Sequence, residues 1–377
     1  MAAVRPSGIS EAAAALHRDA LVVDSHNDSI VLHIRLGNRS MSDRPAAAPT
    51  SAQADERRPG LVIRDEIVRY LRGPLPPRDG KPVEPQIDFP KMRAGGLDAA
   101  FFSVDVTRAL HNHLAYALDG HGFFAADLAA HADEAVVACS ATEIRAARAE
   151  GKLAAVLTIE NSDALDGSLN VLRMFHRMGI RSIGLTHNPR ALAADGVGEA
   201  QASRFGPARP TDPAPSGLTE FGVRLVREMN ALGMLVDVSH ISERGFWDVM
   251  EQTRKPVIAS HSNCRALCDH VRGLTDDQLR ALGANGGVVG ISFVPDFVDR
   301  ERPSIARVVD HIEHAMEVAG PAHVGLGSDF DGGGTALRDA TELPLITEEL
   351  LERGHSHDVI RGVLGENLLR VFEQCTP

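Results

Sequence analysis

The sequence predicts a (β/α)8 TIM barrel. Three observations carry that expectation. Eight short apolar runs recur along the chain, amphipathic segments separate them, and polar residues able to do chemistry sit at the ends of most runs.

The runs are ALVVDSHND (20–28), LDAAFFSVDV (97–106), LAAVLTIEN (153–161), IRSIGLTHN (180–188), GMLVDVSH (233–240), PVIASHSN (256–263), GGVVGISFV (286–294) and HVGLGSDFDG (323–332). Each is too short for a helix and rich in Val, Ile, Leu or Phe. Such runs suit strands buried on both faces of a parallel sheet.

The intervening segments read as helices. The stretch 218–229 has apolar residues at 218, 221, 225, 226 and 229 and ends near Gly233. SERGFWDVMEQT starts at Ser242, a good N-cap residue. DDQLRALGANG opens with Asp276 and Asp277 and stops at glycine, and IARVVDHIEHAMEV, from Ile305, is amphipathic. ADLAAHADEAVVA also reads as helical.

Two interruptions stand out. Residues 38–90 form a Pro-, Gly- and Arg-rich insertion after the first run, with GLVIRDEIVRYL as an expected helix inside it. Residues 193–217 form a long loop after the fourth run. Loops of that length are commonly functional or disordered, and both leave the C-terminal face of the expected barrel. The whole chain, 1–377, is expected to be one barrel domain, with both segments over the active-site face.

The chain carries 39 basic and 51 acidic residues, a net charge of −12. That excludes a general nucleic-acid or anionic-membrane binder, which needs clustered Lys and Arg. The N-terminus lacks a signal-peptide h-region and no apolar run approaches a membrane span, so a cytoplasmic protein is expected. Four cysteines give no disulfide framework. Cys264 and Cys268 lie close to His261 and His270, but they lack the C-x-x-C spacing of a thiolate metal site.

The ends of the runs carry the chemistry. The first ends in His26 and Asp28, the third in Glu160, the fourth in His187, the fifth in His240, the sixth in His261 and the eighth in Asp329 and Asp331. On a strand, residues i and i+2 share a face, which would aim His26 and Asp28 together. Singly, each has an ordinary explanation. A lone strand-end histidine is usually structural, Asp28 could cap a helix starting at Ser29, and Asp331 before three glycines reads as a turn residue. Together they should converge at the face where barrel active sites lie. Imidazoles and carboxylates without thiolate suit zinc or a similar divalent ion. Five candidate ligands exceed what one catalytic zinc takes, so two ions sharing a carboxylate and a bridging water fit better. The other histidines, His111, His113, His121, His131, His355 and His357, read as surface residues.

At these residues the sequence resembles the membrane (renal-type) dipeptidases and their bacterial relatives, within the metal-dependent hydrolase barrels. The motifs run in order: VVDSHND, LTHNPRALAADG, DVSHIS, ASHSNCRAL, HVRGLTDDQLRALGANGGVVGISF, GLGSDFDGG and GENLLRVFEQ. The resemblance implies a zinc-dependent dipeptidase with two Zn2+ per chain, Co2+ or Mn2+ being alternatives. It implies that His26 and Asp28 bind one ion, His240 and His261 the other, and Glu160 both. It further implies that His187 polarises the scissile carbonyl and that Arg272 receives the substrate carboxylate. Asp329 then moves the proton from the bridging water to the leaving amine. The implied partners are a small dipeptide and a second copy of the chain, with no nucleic acid and no membrane. Departures are Asn161 and Ser162, where relatives often have glycines, and Gly273, where asparagine is common. Arg265 is a rival for Arg272. The alternatives are a barrel amidohydrolase acting on another amide or lactam, and a metal-binding barrel without catalysis.

Overall fold

The computed structural model describes residues 8–43, 83–108, 112–188, 190–198 and 217–376. The expected helix 60–71, most of the 38–90 insertion and residues 199–216 of the long loop lie outside the described residues.

Among the described residues nine parallel strands form one sheet: β1 (Val23–Asn27), β2 (Ala99–Asp105), β3 (Ala135–Val137), β4 (Leu153–Glu160), β5 (Ile180–Gly184), β6 (Leu235–Asp237), β7 (Ile258–Ser262), β8 (Val288–Ile291) and β9 (Val324–Leu326). The order is β2-β1-β9-β8-β7-β6-β5-β4-β3, and β2 also pairs with β4. That pairing closes eight strands into a barrel and leaves β3 as an appendage on β4. All eight expected strands are present. β3 was not expected: EAVVA reads as helix by composition, but the helix His113–Ala130 ends before it. Val136 and Val137 then extend and pair with Ala154 and Ala155.

The expected helices form with shifted ends. Glu220–Leu232 stops at Gly233, whose φ of 73° makes it a left-handed C-cap. Ser242 caps Glu243–Gln252 through the Gly245 N–H. Asp276–Ala284 starts one residue after its true cap, Thr275, which forms a capping box with Gln278. Ile305–Ala319 follows the periodic run.

Two apolar clusters fill the molecule. The larger lies between strands and helices and includes Phe102, Val104, Ile159, Leu225 and Ile312. The other gathers Val23, Phe101, Val156, Leu235, Ile258 and Val288 from six strands, with Leu368, Leu369 and Phe372 of the terminal helix Asn367–Cys375 packed on it. This apolar floor leaves the C-terminal ends of the strands as the polar end of the barrel.

Buried histidines pin outer helices to the rest. His17 donates from Nε2 to Gly95 O (2.8 Å) and accepts at Nδ1 from the Thr347 hydroxyl (2.7 Å). His311 donates from Nε2 to Val298 O (2.9 Å) and accepts at Nδ1 from the Cys264 N–H (3.1 Å). Each is neutral by construction, and burial lowers each pKa from 6.5 to about 4. Between those values the unfolded chain takes up a proton that the folded chain refuses, so each contribution weakens as pH falls through that window. A His17→Gln variant can keep both hydrogen bonds without titrating. Relative to wild type it should gain up to about 1.4 kcal/mol of stability for each pH unit lowered in that window. Urea unfolding of both proteins in a metal chelator measures the difference.

Candidate metal centre and substrate cleft

Glu160 is the last residue of β4 and lies in register with Asp105, the last residue of β2. Both are buried. Three imidazoles approach the Glu160 carboxylate: His240 Nε2 at 2.9 Å, His261 Nε2 at 3.5 Å and His26 Nε2 at 3.9 Å. The His26 ring stacks on that of His261 (3.8 Å between centroids) and the His187 ring on that of His240 (4.1 Å).

The outer nitrogens fix how these rings face. His240 donates from Nδ1 to Asn188 Oδ1 (2.8 Å), and its backbone sits at φ 64°. His261 donates from Nδ1 to Ser260 Oγ (2.9 Å). With both Nδ1 protons used outward, both Nε2 atoms, 2.7 Å apart, turn lone pairs toward Glu160. Glu160 Oε1 is buried and accepts no hydrogen bond from the described residues.

His26 and Asp28 do converge, though not by simple strand alternation. The β1–β2 register shifts between Asp24 and Asn27. Asp28 then leaves the strand as the N-cap residue of the helix Ser29–Arg35, yet its side chain makes no capping bond. The capping alternative for its carboxylate therefore fails. Asp329, at φ 55°, donates its N–H to His26 O (3.1 Å), and ligand atoms of His26, Asp28 and Asp329 lie within 4.8 Å of one another. The two carboxylates straddle Gly332, where a Cβ would stand 2.2 Å from Asp28 Oδ2 and 2.2 Å from Asp329 Oδ1.

The electrostatics call for a cation. Burial first, then the charges of Asp105, Asp28 and Asp329, push the Glu160 carboxyl well above the usual range, and Arg272 opposes this. Burial and the neighbouring Arg272 hold His240 well below the usual imidazole range. His261 is lowered by burial, then by His26 and Arg272. Neutral imidazoles around mutually repelling carboxylates are the donor set of a borderline divalent ion. A buried Glu160 oxygen without a hydrogen bond, facing two such lone pairs, fits the same group.

Beside His240 opens a cavity of about 470 Å³, lined among others by Val197, Val238, Ile241, Leu274 and Arg272. Arg272 is buried, with Nη2 donating to His261 O (3.0 Å) and Cζ 5.4 Å from the centre of the Phe297 ring. Its Nε has no hydrogen-bond partner among the described residues, and burial lowers its pKa to about 10. Arg265, the rival, donates to Gly273 O and Val271 O (both 3.2 Å) and so braces the loop that carries Arg272.

Several other expectations change. Asp331 is the anticipated turn residue: its carboxylate takes Ser29 Oγ (2.5 Å) and Gln86 N (2.7 Å). His121 and His131 are buried rather than on the surface, and burial lowers His121 to about 4. His355 is half-buried, bonding Glu313 at 2.8 Å, whereas His357 is exposed, and His111 lies outside the described residues. Burial drives the Cys264 thiol up to about 12, and its Sγ donates to His311 O (3.3 Å). Asp105, Asn188, Asp237 and Ser260 were not anticipated. Asp105 had a signal, since it ends the second run as Glu160 ends the third.

The sequence matches the membrane dipeptidase family, peptidase family M19, over residues 10–376. It is 38% identical to the dipeptidase aclJ of Aspergillus oryzae over 303 residues, 76% of this chain and 69% of that protein. An uncharacterized dipeptidase of Schizosaccharomyces pombe is 36% identical over 309 residues, 76% of this chain and 71% of that one. Among solved structures, a metallopeptidase from Rhodobacter sphaeroides liganded with a phosphinate mimic of the dipeptide L-Ala-D-Ala superposes with a TM-score of 0.74. It is 26% identical, covering 94% of this chain and 99% of that one.

A Gly332→Ala substitution should leave the backbone in place but displace both flanking carboxylates. The expected outcome is a loss of bound metal after dialysis with little change in the urea midpoint of the metal-free protein. Elemental analysis and unfolding curves check both halves.

Proposed function

The chain belongs to the membrane dipeptidase family, peptidase family M19, and is a metal-dependent dipeptidase; on that premise we propose that two zinc ions are held at the mouth of the barrel and that the residues around them divide the work of peptide hydrolysis. The observation that carries this is the Glu160 carboxylate facing three imidazoles within 3.9 Å, at the strand ends of a closed barrel.

In this reading His26 and Asp28 would hold one ion, His240 and His261 the other, and Glu160 would serve both. When bound, such ions lower the pKa of a shared water and polarise a carbonyl. Cobalt or manganese would satisfy the same donors.

The chain's own side chains do the rest. Arg272 receives the C-terminal carboxylate of the dipeptide, which supplies the anion that its buried guanidinium lacks among the described residues. His187, stacked on His240 and half-buried, donates to the oxygen of the scissile carbonyl as negative charge develops there. Asp329 takes the water's proton and passes it to the leaving amine. Its carboxylate lies within 4.8 Å of ligand atoms of His26 and Asp28, at the edge of the proposed centre.

The reading takes residues 1–377 as one barrel domain. It includes a homodimer and a cytoplasmic location. Among the described residues no helix is long and apolar enough to cross a membrane.

Three measurements test the proposal. Wild type should retain about two zinc ions and hydrolyse dipeptides; a protein that holds zinc but cleaves nothing in a broad dipeptide panel sinks it. Asp329→Asn should keep its metal and lose about 10²–10⁴ in kcat, and equal turnover would remove Asp329 from proton transfer. Arg272→Met should lower kcat/KM for a free dipeptide by about two to three orders of magnitude. The C-terminally amidated dipeptide should be cleaved poorly by wild type and variant alike.

A further inference from the structure

Below the proposed ligand His261 lies a chain of buried polar groups that neither the barrel nor the reaction has yet accounted for. Ser260 Oγ donates to Asp237 Oδ2 at 2.5 Å. The same oxygen accepts from His261 Nδ1 at 2.9 Å. Asp237 Oδ1 accepts from Ser239 N (2.9 Å) and Ser260 N (3.0 Å). Ser239 Oγ takes the His261 N–H at 3.1 Å. Asp237, Ser239, Ser260 and His261 are all buried, so bulk water cannot replace a missing member.

We propose that Asp237 and Ser260 are positioning residues for His261, a carboxylate–hydroxyl–imidazole relay that sets how tightly the ion on His261 is held. The inference rests on the two-ion reading above. A purely structural role would need only the Oδ1 arm of Asp237. That arm ties β6 to β7, which otherwise share one register pair, Asp237 with Ile258. The Oδ2 arm reaches the same β7 residue through its side chain, and Ser260 Oγ carries it on to the imidazole. A hydroxyl whose proton is committed to a carboxylate is a better acceptor, and an imidazole that donates its proton from Nδ1 offers a more basic lone pair at Nε2.

The two imidazoles nearest Glu160 are thereby unequal. The His240 Nδ1–H ends on the neutral amide of Asn188, whereas the His261 Nδ1–H ends, through one hydroxyl, on a carboxylate. The β7 register also shifts between Ala259 and Ser262, the stretch containing both Ser260 and His261. The irregular strand places a residue and its own neighbour in one hydrogen-bonded line.

Ser260→Ala tests this, because it removes the relay and leaves both Oδ1 bonds of Asp237 intact. Zinc dissociation constants are measured by chelator competition, with urea unfolding of the metal-free protein alongside. One of the two zinc ions should bind about 10–100-fold more weakly, the other should be unaffected, and the metal-free midpoint should hold. Ser260→Thr, which keeps the hydroxyl, should restore the affinity. In 15N-histidine spectra of the zinc-loaded wild type, the His261 Nδ1–H should exchange slowly. Unchanged zinc constants in Ser260→Ala overturn the relay alone. A rapidly exchanging His261 Nδ1–H in wild type overturns it too, even where the variant does not fold. A wild type that binds fewer than two zinc ions overturns the relay together with the reading beneath it.

Discussion

Glu160 sets the terms for the site. Its carboxylate is buried, faces three imidazoles, and shares its surroundings with Asp28, Asp105 and Asp329. Such a group is costly to bury alone, and among the described residues no Lys or Arg pairs with it at ion-pair distance. The fold concentrates negative charge at one point and surrounds it with neutral nitrogen lone pairs. That arrangement is unfavourable until a multivalent cation enters. Metal dependence follows from the placement of one residue at the end of β4 and of its neighbours on β1, β2, β7 and after β9.

A closed barrel brings strand ends together, but it does not aim them. Aiming is done by local departures from regular geometry. His240 and Asp329 hold left-handed backbone, at φ 64° and 55°, and Asn161 directly after Glu160 sits at φ 80°. Non-glycine residues adopt such conformations at a cost, and they persist where surrounding structure over-determines them. Asn161 shows how: Oδ1 accepts from Asp163 N at 3.0 Å and Nδ2 donates to Thr107 Oγ1 at 3.1 Å. Register shifts in β1 and β7 do the same for His26 and His261. Five departures from ideal strands thus fall at or beside proposed metal or proton-moving residues.

This explains what could be read from the sequence. The eight barrel strands were legible because buried parallel strands leave continuous apolar runs such as LAAVLTIE and AAFFSVD. The residues at the run ends were legible because barrel sites lie there. The geometry joining them was not. A register shift leaves no mark in composition, so the shared face of His26 and Asp28 was expected for a reason that the strand does not supply. Supporting residues were missed for a related cause. Asn188, Asp237 and Ser260 are ordinary polar residues in sequence, and only three-dimensional contact reveals what they hold. β3 was missed because Ala, Glu and Val in EAVVA suit a helix until pairing with β4 decides otherwise.

The interior of the barrel is layered, and the layering makes rigid ligand placement possible. At the floor, Val23, Phe101, Val156 and Ile258 pack with Phe372 and exclude water. Above them the same strands turn to small hydroxyls and carboxylates. Ser25 donates to Leu326 O (2.7 Å), and Asp24 takes both the N–H and the hydroxyl of Ser328 (2.7 and 2.8 Å). Asp237 gathers Ser239 and Ser260 in the same way. Small polar side chains leave room for strands to bend and supply hydrogen bonds that hold each bend in one geometry. Large apolar residues there would pack the barrel equally well but could not fix an imidazole by its outer nitrogen. The hydroxyl layer therefore converts the stability of the floor into precision at the mouth, where a misplacement of about 1 Å costs on the order of 10²-fold in rate.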